Sequence, residues 1–251
     1  MNKMVKMMHL ASQYLATAGK CFLEKKDDDS HTNLGFDIDS MRLSTHPFNE
    51  NGEILCLNYH RFSLEWMDDS GVEEFLLNEM PHAATIDWLK HISEVKLNKP
   101  YTYDLHYDLP YEIDANFTFK LTSSDELKKL IDLRILAEKV LKAVVNEEKI
   151  DSTIRIWPHH FDTGAYGPLP ENSKISVGMG LAIPDSVCDD HYFYVSGYKE
   201  GDSIDVSKFN KLEIGDWKSD GFNGGVLSAK NTHLEQAIQF FETAIAQFRN
   251  S

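Results

Sequence analysis

Residues Lys174–Ile183 form the clearest alternating run in the chain. Ile175, Val177, Met179, Leu181 and Ile183 fall on one face, and Ser176, Gly178, Gly180 and Ala182 on the other. Successive side chains of a strand point to opposite faces, so this pattern commits the segment to a strand with one apolar side. A second alternating run, His191–Tyr198, follows the acidic turn Pro184–Asp190. It sets His191, Phe193 and Val195 opposite Tyr192, Tyr194 and Tyr198. Glycines on one strand face let another group approach closely, either a packed helix or a ligand.

Period-3.6 stripes surround these runs. Met4, Met8, Ala11, Leu15, Ala18 and Phe22 predict a helix over Met4–Phe22. Leu127, Leu130, Ile131, Ala137, Val140, Leu141 and Val144 predict another over Asp125–Asn146, opened by the capping box Ser123–Glu126. Leu234, Ala237, Ile238, Phe241, Ile245 and Phe248 predict a third over His233–Arg249, opened by a capping box at Thr232–Glu235. A shorter helical stripe joins Ala84, Trp88, Ile92 and Val95, behind an acidic Asp68–Glu74 that opens this helical region. Leu34–Thr45 and Ile54–Trp66 read as two strands of a hairpin, with turn residues at Asn49–Gly52 between them. Asn58 and His60 share the second strand's apolar face, as satisfied core residues or as part of a pocket. Aromatic Pro100–Pro110 reads as a strand or as a loop over a pocket, and Ile113–Leu121 alternates weakly. Thr163–Ser173, rich in Gly and Pro, reads as a loop. Gly201–Asp220 is polar and irregular, and Gly221–Gly225 suggests a tight loop. The fold class is therefore α+β, with antiparallel sheets packed by three main helices.

The 251 residues suit a single compact domain. Its halves, 1–121 and 122–251, resemble each other in outline, each running helix, strand, strand, helix. Arg42–Phe48 can be laid on Arg155–Phe161 so that Arg, one His and Phe coincide. Chance similarity between amphipathic hairpins competes with a true duplication.

With 25 basic and 40 acidic residues, the net charge is −15. This argues against nucleic acid as a partner, which needs clustered Lys and Arg. Cys21, Cys56 and Cys188 are far apart and odd in number, so neither a disulfide framework nor a zinc ribbon is indicated, and a reducing cytoplasm fits. Lys3 and Lys6 precede a semi-apolar stretch, but His9, Ser12, Gln13 and Tyr14 interrupt it, which favours a helix over a signal peptide. No run approaches the roughly 18 apolar residues of a membrane span, so no membrane partner is expected. Asp27, Asp28 and Asp29 lack EF-hand spacing and read as a solvated loop. Glycine-rich nucleotide loops, Gly-x-Ser-x-Gly, His-Glu-x-x-His and the zinc deaminase signature are absent, so no cofactor is named.

The densest chemistry lies in Thr153–Asp162, Thr-Ile-Arg-Ile-Trp-Pro-His-His-Phe-Asp. As one strand it puts Ile154, Ile156, His160 and Asp162 on one face, and Arg155, Trp157, His159 and Phe161 on the other. His160 and Asp162 would converge from Cβ atoms about 6.5 Å apart, given about 3.3 Å rise per residue. A meander of 153–162, 174–183 and 191–198 would leave Asp189 and His191 at the opposite end of the sheet. Three readings follow. In a metal-assisted hydrolase, His160 is ligand or base and Asp162 ligand or orienter. In a small-molecule-binding protein, Trp157, His159, Tyr192, Tyr194 and Trp217 line an aromatic pocket and His160 adds a hydrogen bond. In a non-enzymatic structural or interaction protein, His160 and Asp162 form a buried hydrogen-bonded pair.

Three blocks resemble a bacterial family of uncharacterised proteins. The first is Trp-Pro-x-His-Phe-Asp, at Trp157, Pro158, His160, Phe161 and Asp162; the family pattern often has Glu where His159 stands. The second is a Gly-rich strand, an acidic turn and a Tyr-x-Tyr-Val strand, met by Gly178, Gly180, Asp185, Tyr192, Tyr194 and Val195. The third is Trp followed by Phe-x-Gly, at Trp217, Phe222 and Gly224. The resemblance covers about residues 153–251 and implies no particular activity.

Overall fold

The computed structural model describes residues 2–111, 114 and 116–251. Its helices are α1 (Lys3–Phe22), α2 (His82–Leu97), α3 (Ser124–Glu147) and α4 (Leu234–Arg249). One antiparallel sheet is a meander in the order β1 (Gly35–Asp37), β2 (Arg42–Ser44), β3 (Ile54–Asn58), β4 (Ser63–Asp68) and β5 (Gly71–Leu76). The second contains β6 (Arg155–Trp157), β7 (Asp162–Leu169), β8 (Asn172–Ala182), β9 (Tyr192–Lys199), β10 (Asp202–Ser203), β11 (Asp216–Lys218) and β12 (Gly224–Ser228). Its order is β11-β12-β9-β8-β7-β6, with β10 on β9. The expected α+β class with antiparallel sheets holds. The chain divides into two compact units, an N-terminal one (Asn2–Asp132 with Ile156–His159) and a C-terminal one (Leu133–Arg155 with His160–Ser251).

In the N-terminal unit, α1 starts on Asn2, whose side chain accepts a hydrogen bond from Met4 N at 2.8 Å. The apolar stripe of α1 is buried, and so are its polar residues His9, Ser12, Gln13 and Thr17. The aromatic segment after Pro100 is irregular and runs along this polar side. Tyr107 donates to Gln13, Tyr111 bonds His9, and Tyr101 meets Thr17 at 2.5 Å. His9 Nε2 and Gln13 Nε2 both reach Pro158 O, at 2.7 and 2.9 Å. Buried polar groups need partners, and here backbone carbonyls of α1 and Pro158 supply most of them and three tyrosine hydroxyls the rest.

Several sequence expectations fail because a four-residue turn interrupts the alternation. Leu34–Thr45 is two strands around residues 38–41, and Ile54–Trp66 is two strands around residues 59–62. Passing through such a turn shifts the phase, so Leu57 pairs with Leu64, while Cys56 pairs with Glu65. Met41, Phe62 and Phe161 end three such turns with φ of 56°, 50° and 58°. Asn58 is a satisfied buried residue, donating to Glu65 at 2.8 Å, whereas His60 is exposed. Asp68–Glu74 does not open a helix but enters β5, a mostly exposed edge strand. The stripe at Ala84–Val95 is a full 16-residue helix, α2, although Val95 is 64% exposed. Ile113 lies outside the described residues. Thr118 forms only an isolated bridge to Pro81.

In the C-terminal unit, α3 and α4 cover one face of the sheet. Val140, Leu141 and Val144 of α3, Phe240, Phe241 and Phe248 of α4, and Val177, Met179, Leu181, Phe193 and Val195 of the sheet belong to one buried cluster, all at most 3% exposed. The α4 capping box is His233 with Gln236, one residue later than the expected Thr232–Glu235; Thr232 instead donates to Ser228 O at 2.7 Å. Close approach of Phe248 requires glycine at 197, where a Cβ would overlap the ring. Thr163–Ser173 is not a loop. Its first part belongs to β7, paired with β8 from Thr163–Leu181 to Pro168–Ser176. The glycines that suggested a loop are there because neighbouring side chains and backbone crowd the strand.

Candidate functional site

The stretch Thr153–Asp162 is not one strand. Arg155–Trp157 is β6, residues 158–161 turn, and Asp162 begins β7. The common face expected for Ile154, Ile156, His160 and Asp162 does not form, because periodicity cannot be carried through a turn. Ile156 bridges Leu34 in the N-terminal unit. Trp157 and His159 group with that unit too, where the His159 ring lies 5.5 Å from Tyr107 and 6.2 Å from Trp157.

Asp162 is the polar centre of the C-terminal unit. It is 6% exposed, and its Oδ2 accepts a hydrogen bond from the Tyr194 hydroxyl. Its Oδ1 is buried with no hydrogen-bond partner among the described residues. Burial pushes the Asp162 carboxyl above the usual range, against the pull of Tyr194, His160 and Arg134. Burial and the same carboxylate push the Tyr194 phenol up. The phenol reaches Asp162 over glycines. A Cβ on Gly164 would lie 3.2 Å from Tyr194 Oη, and one on Gly180 would lie 2.8 Å from the Tyr194 ring. The close neighbour on this glycine face is therefore a tyrosine of the adjoining strand. Tyr192, also buried, donates to Asp185 Oδ2 at 2.9 Å, and Phe222 stands edge-on to Tyr194 at 6.2 Å.

This arrangement reverses the expected meander geometry. β7, starting at Asp162, precedes β8, so the start of β7, the end of β8 and the start of β9 share one end of the sheet. His191 therefore belongs at the Asp162 end. Burial lowers its pKa to about 4, helped by the Arg134 guanidinium.

Arg134 escaped the sequence reading. It is 6% exposed on α3, donating to Thr163 Oγ1 and to Phe161 O, both at 2.6 Å, with its guanidinium 4.3 Å from the Phe161 ring centre. It fastens the turn that presents Asp162. The available signal was its place on the α3 stripe, three residues from both Ile131 and Ala137: a charge on an apolar stripe needs a buried partner. One turn on, Glu138 has a buried Oε1 without a partner among the described residues, and burial raises its pKa to about 7.

The structure thus brings Asp162, Tyr194 and Tyr192 together. His160 is exposed on the preceding turn. Trp217 is on the other face: it donates to Asn210 O at 2.9 Å and packs on Phe248 at 5.5 Å, on the α4 side. In the N-terminal unit a separate pocket of about 420 Å³ is lined by Lys20, Lys25, Asp29, His31 and His106, none of them expected site residues. Among the described residues no three His, Cys, Asp or Glu side chains come together to hold a metal, and no helix is long and apolar enough to cross a membrane. The chain matches no protein-family model, no curated protein and no solved structure.

Proposed function

We propose that the C-terminal unit binds a small molecule at the Asp162–Tyr194 face. The observation that carries this reading is Asp162 Oδ1, a buried carboxylate oxygen with no hydrogen-bond partner among the described residues. Leaving such an atom unsatisfied costs about 1–3 kcal/mol, and a ligand donor would relieve that cost. Tyr192, Tyr194 and Phe222 offer aromatic walls beside it, the usual lining of a small-molecule site. The metal-assisted hydrolase reading finds no third ligand of the right chemistry near Asp162 among the described residues. The structural reading of a His160–Asp162 pair gains a second partner, with Asp162–Tyr194 as a cross-strand tie.

A thermal-shift screen of a chemically diverse set separates these readings, because a ligand that binds only the native state raises Tm. Binding predicts compounds that stabilise the wild type but not Asp162→Asn. No stabilising compound, or the same shifts in Asp162→Asn, would favour the structural tie.

A further inference from the structure

The two units carry the same register of polar residues. In the N-terminal sheet Arg42 opens β2, Asn58 faces it on β3, and Glu65 is the third residue of β4. In the C-terminal sheet Asp162 opens β7, the register extended by one residue sets Ala182 opposite it on β8, and Tyr194 is the third residue of β9. Each opening residue follows a four-residue turn whose last residue has positive φ, Met41 at 56° and Phe161 at 58°. Each four-strand meander, β1–β4 and β6–β9, is preceded by a long helix, and a 16-residue helix follows it, after β5 in one unit and after β10–β12 in the other. The matching residues are therefore Arg42 with Asp162, Asn58 with Ala182, and Glu65 with Tyr194. This register differs from the sequence alignment of Arg42–Phe48 on Arg155–Phe161.

The chemistry at the two positions differs in one respect. In the N-terminal unit both carboxylate oxygens of Glu65 are filled. Arg42 Nε donates to Oε2 at 2.5 Å and Asn58 Nδ2 to Oε1 at 2.8 Å. In the C-terminal unit acid and donor have exchanged strands. Tyr194 fills one oxygen of Asp162, and Ala182, where the amide would stand, has no donor to offer the other. Ala182, Tyr194 and Phe222 are only half-buried and His160 is exposed, so side chains around this position reach the surface.

We propose that the two units are copies of one helix–meander–helix module, and that the C-terminal copy takes from a ligand the N–H donor that Asn58 supplies internally in the other. The ligand class is a small cation bearing N–H groups, an amidine or guanidine. Such a group donates to a carboxylate through charge-assisted hydrogen bonds and favours aromatic faces through cation–π attraction. The net charge of −15 attracts a cation rather than an anion. This rests on the small-molecule reading above.

The test is binding of benzamidine, with benzamide and benzoate as neutral and anionic comparisons, to the full chain. Benzamidine should raise the Tm of the wild type more than benzamide does, and benzoate should not raise it. Asp162→Asn should abolish the benzamidine shift. Ala182→Asn should abolish it as well, by filling Oδ1 from within, and should by itself raise the Tm. Ala182→Ser serves as the smaller donor if the asparagine does not fold. Benzamide or other screened compounds acting through Asp162 while benzamidine does not would overturn the cation inference and spare the small-molecule reading. No shift from any compound would overturn both. A benzamidine shift undiminished in the folded Ala182 variant would remove the correspondence with Asn58.

Discussion

On the helix-covered face of the C-terminal sheet, Met179, Leu181, Phe193 and Val195 are at most 3% exposed. One residue along the same strands, the other face shows Gly178, Gly180, Tyr194 and Tyr198, with Tyr166 on β7 57% exposed. The first face is apolar and is filled by phenylalanines from α4. The second combines small residues, phenols and one buried acid. The alternation that builds the sheet thus separates two tasks by a single residue step. Stability resides on one side, and close approach with hydrogen bonding on the other.

The comparison is broken most severely by Phe241→Ala. Phe241 is fully buried against Phe193, with ring centres 5.8 Å apart, and truncation should cost about 3–5 kcal/mol in chemical denaturation. A loss under about 1 kcal/mol would mean that the helix-covered face is not the core. On the other face, Gly180→Ala should cost about 1–3 kcal/mol by overpacking, because its Cβ would press on Thr163 O and the Tyr194 ring, whereas Gly178 has room for a Cβ at 3.4 Å from Ser196 Oγ. Gly178→Ala should stay within about 0.5 kcal/mol. Equal effects at the two glycines would contradict the placement of Tyr194. Next, Tyr194→Phe should cost about 1–3 kcal/mol by leaving both Asp162 oxygens without a donor, and an unchanged denaturation midpoint would dismiss that hydrogen bond.

The smallest net effect is in pH dependence, where two opposed shifts offset each other. His191 has a folded pKa of about 4 against the ordinary 6.5, so its contribution is complete above pH 6.5 and is lost as pH falls toward 4. Glu138 is raised from 4.5 to about 7, so it destabilises the fold progressively as pH rises from 4.5 to 7. The two slopes oppose each other. Glu138→Gln removes one of them, and its stability should rise with pH over this window more steeply than the wild type's. A slope no steeper than the wild type's would show that the Glu138 carboxyl titrates normally.

The class, the four helical stripes, β8 and β9 were all readable from period and caps, because each lies in an uninterrupted run. What escaped lies where a turn resets the phase. The turn at 158–161 moved Asp162 from the end of one strand to the start of the next, which set its Oδ2 beside Tyr194 and Gly164, with His160 still close enough to act on the carboxyl. Pro158, His159 and His160 give no glycine or asparagine signal for such a turn, since Phe161 takes the left-handed position, φ 58°. The sequence names Asp162, Tyr192 and Tyr194 one by one, but their mutual geometry depends on the turn and not on the strand period. Trp217 packs against the core from the α4 side, a placement that no local pattern gives. Arg134 was missed because its partners, Thr163 and Phe161, are distant in sequence.

The central claim is that a buried, half-satisfied Asp162 is the chemical centre of the C-terminal unit. Its most direct test is an NMR titration of the Asp162 carboxyl carbon in the wild type and in Tyr194→Phe. The wild-type group should titrate above the ordinary 3.8, because burial outweighs the Tyr194 hydrogen bond, and the variant should titrate higher still. Titration at or below 3.8, or no change on loss of the phenol, would contradict the account.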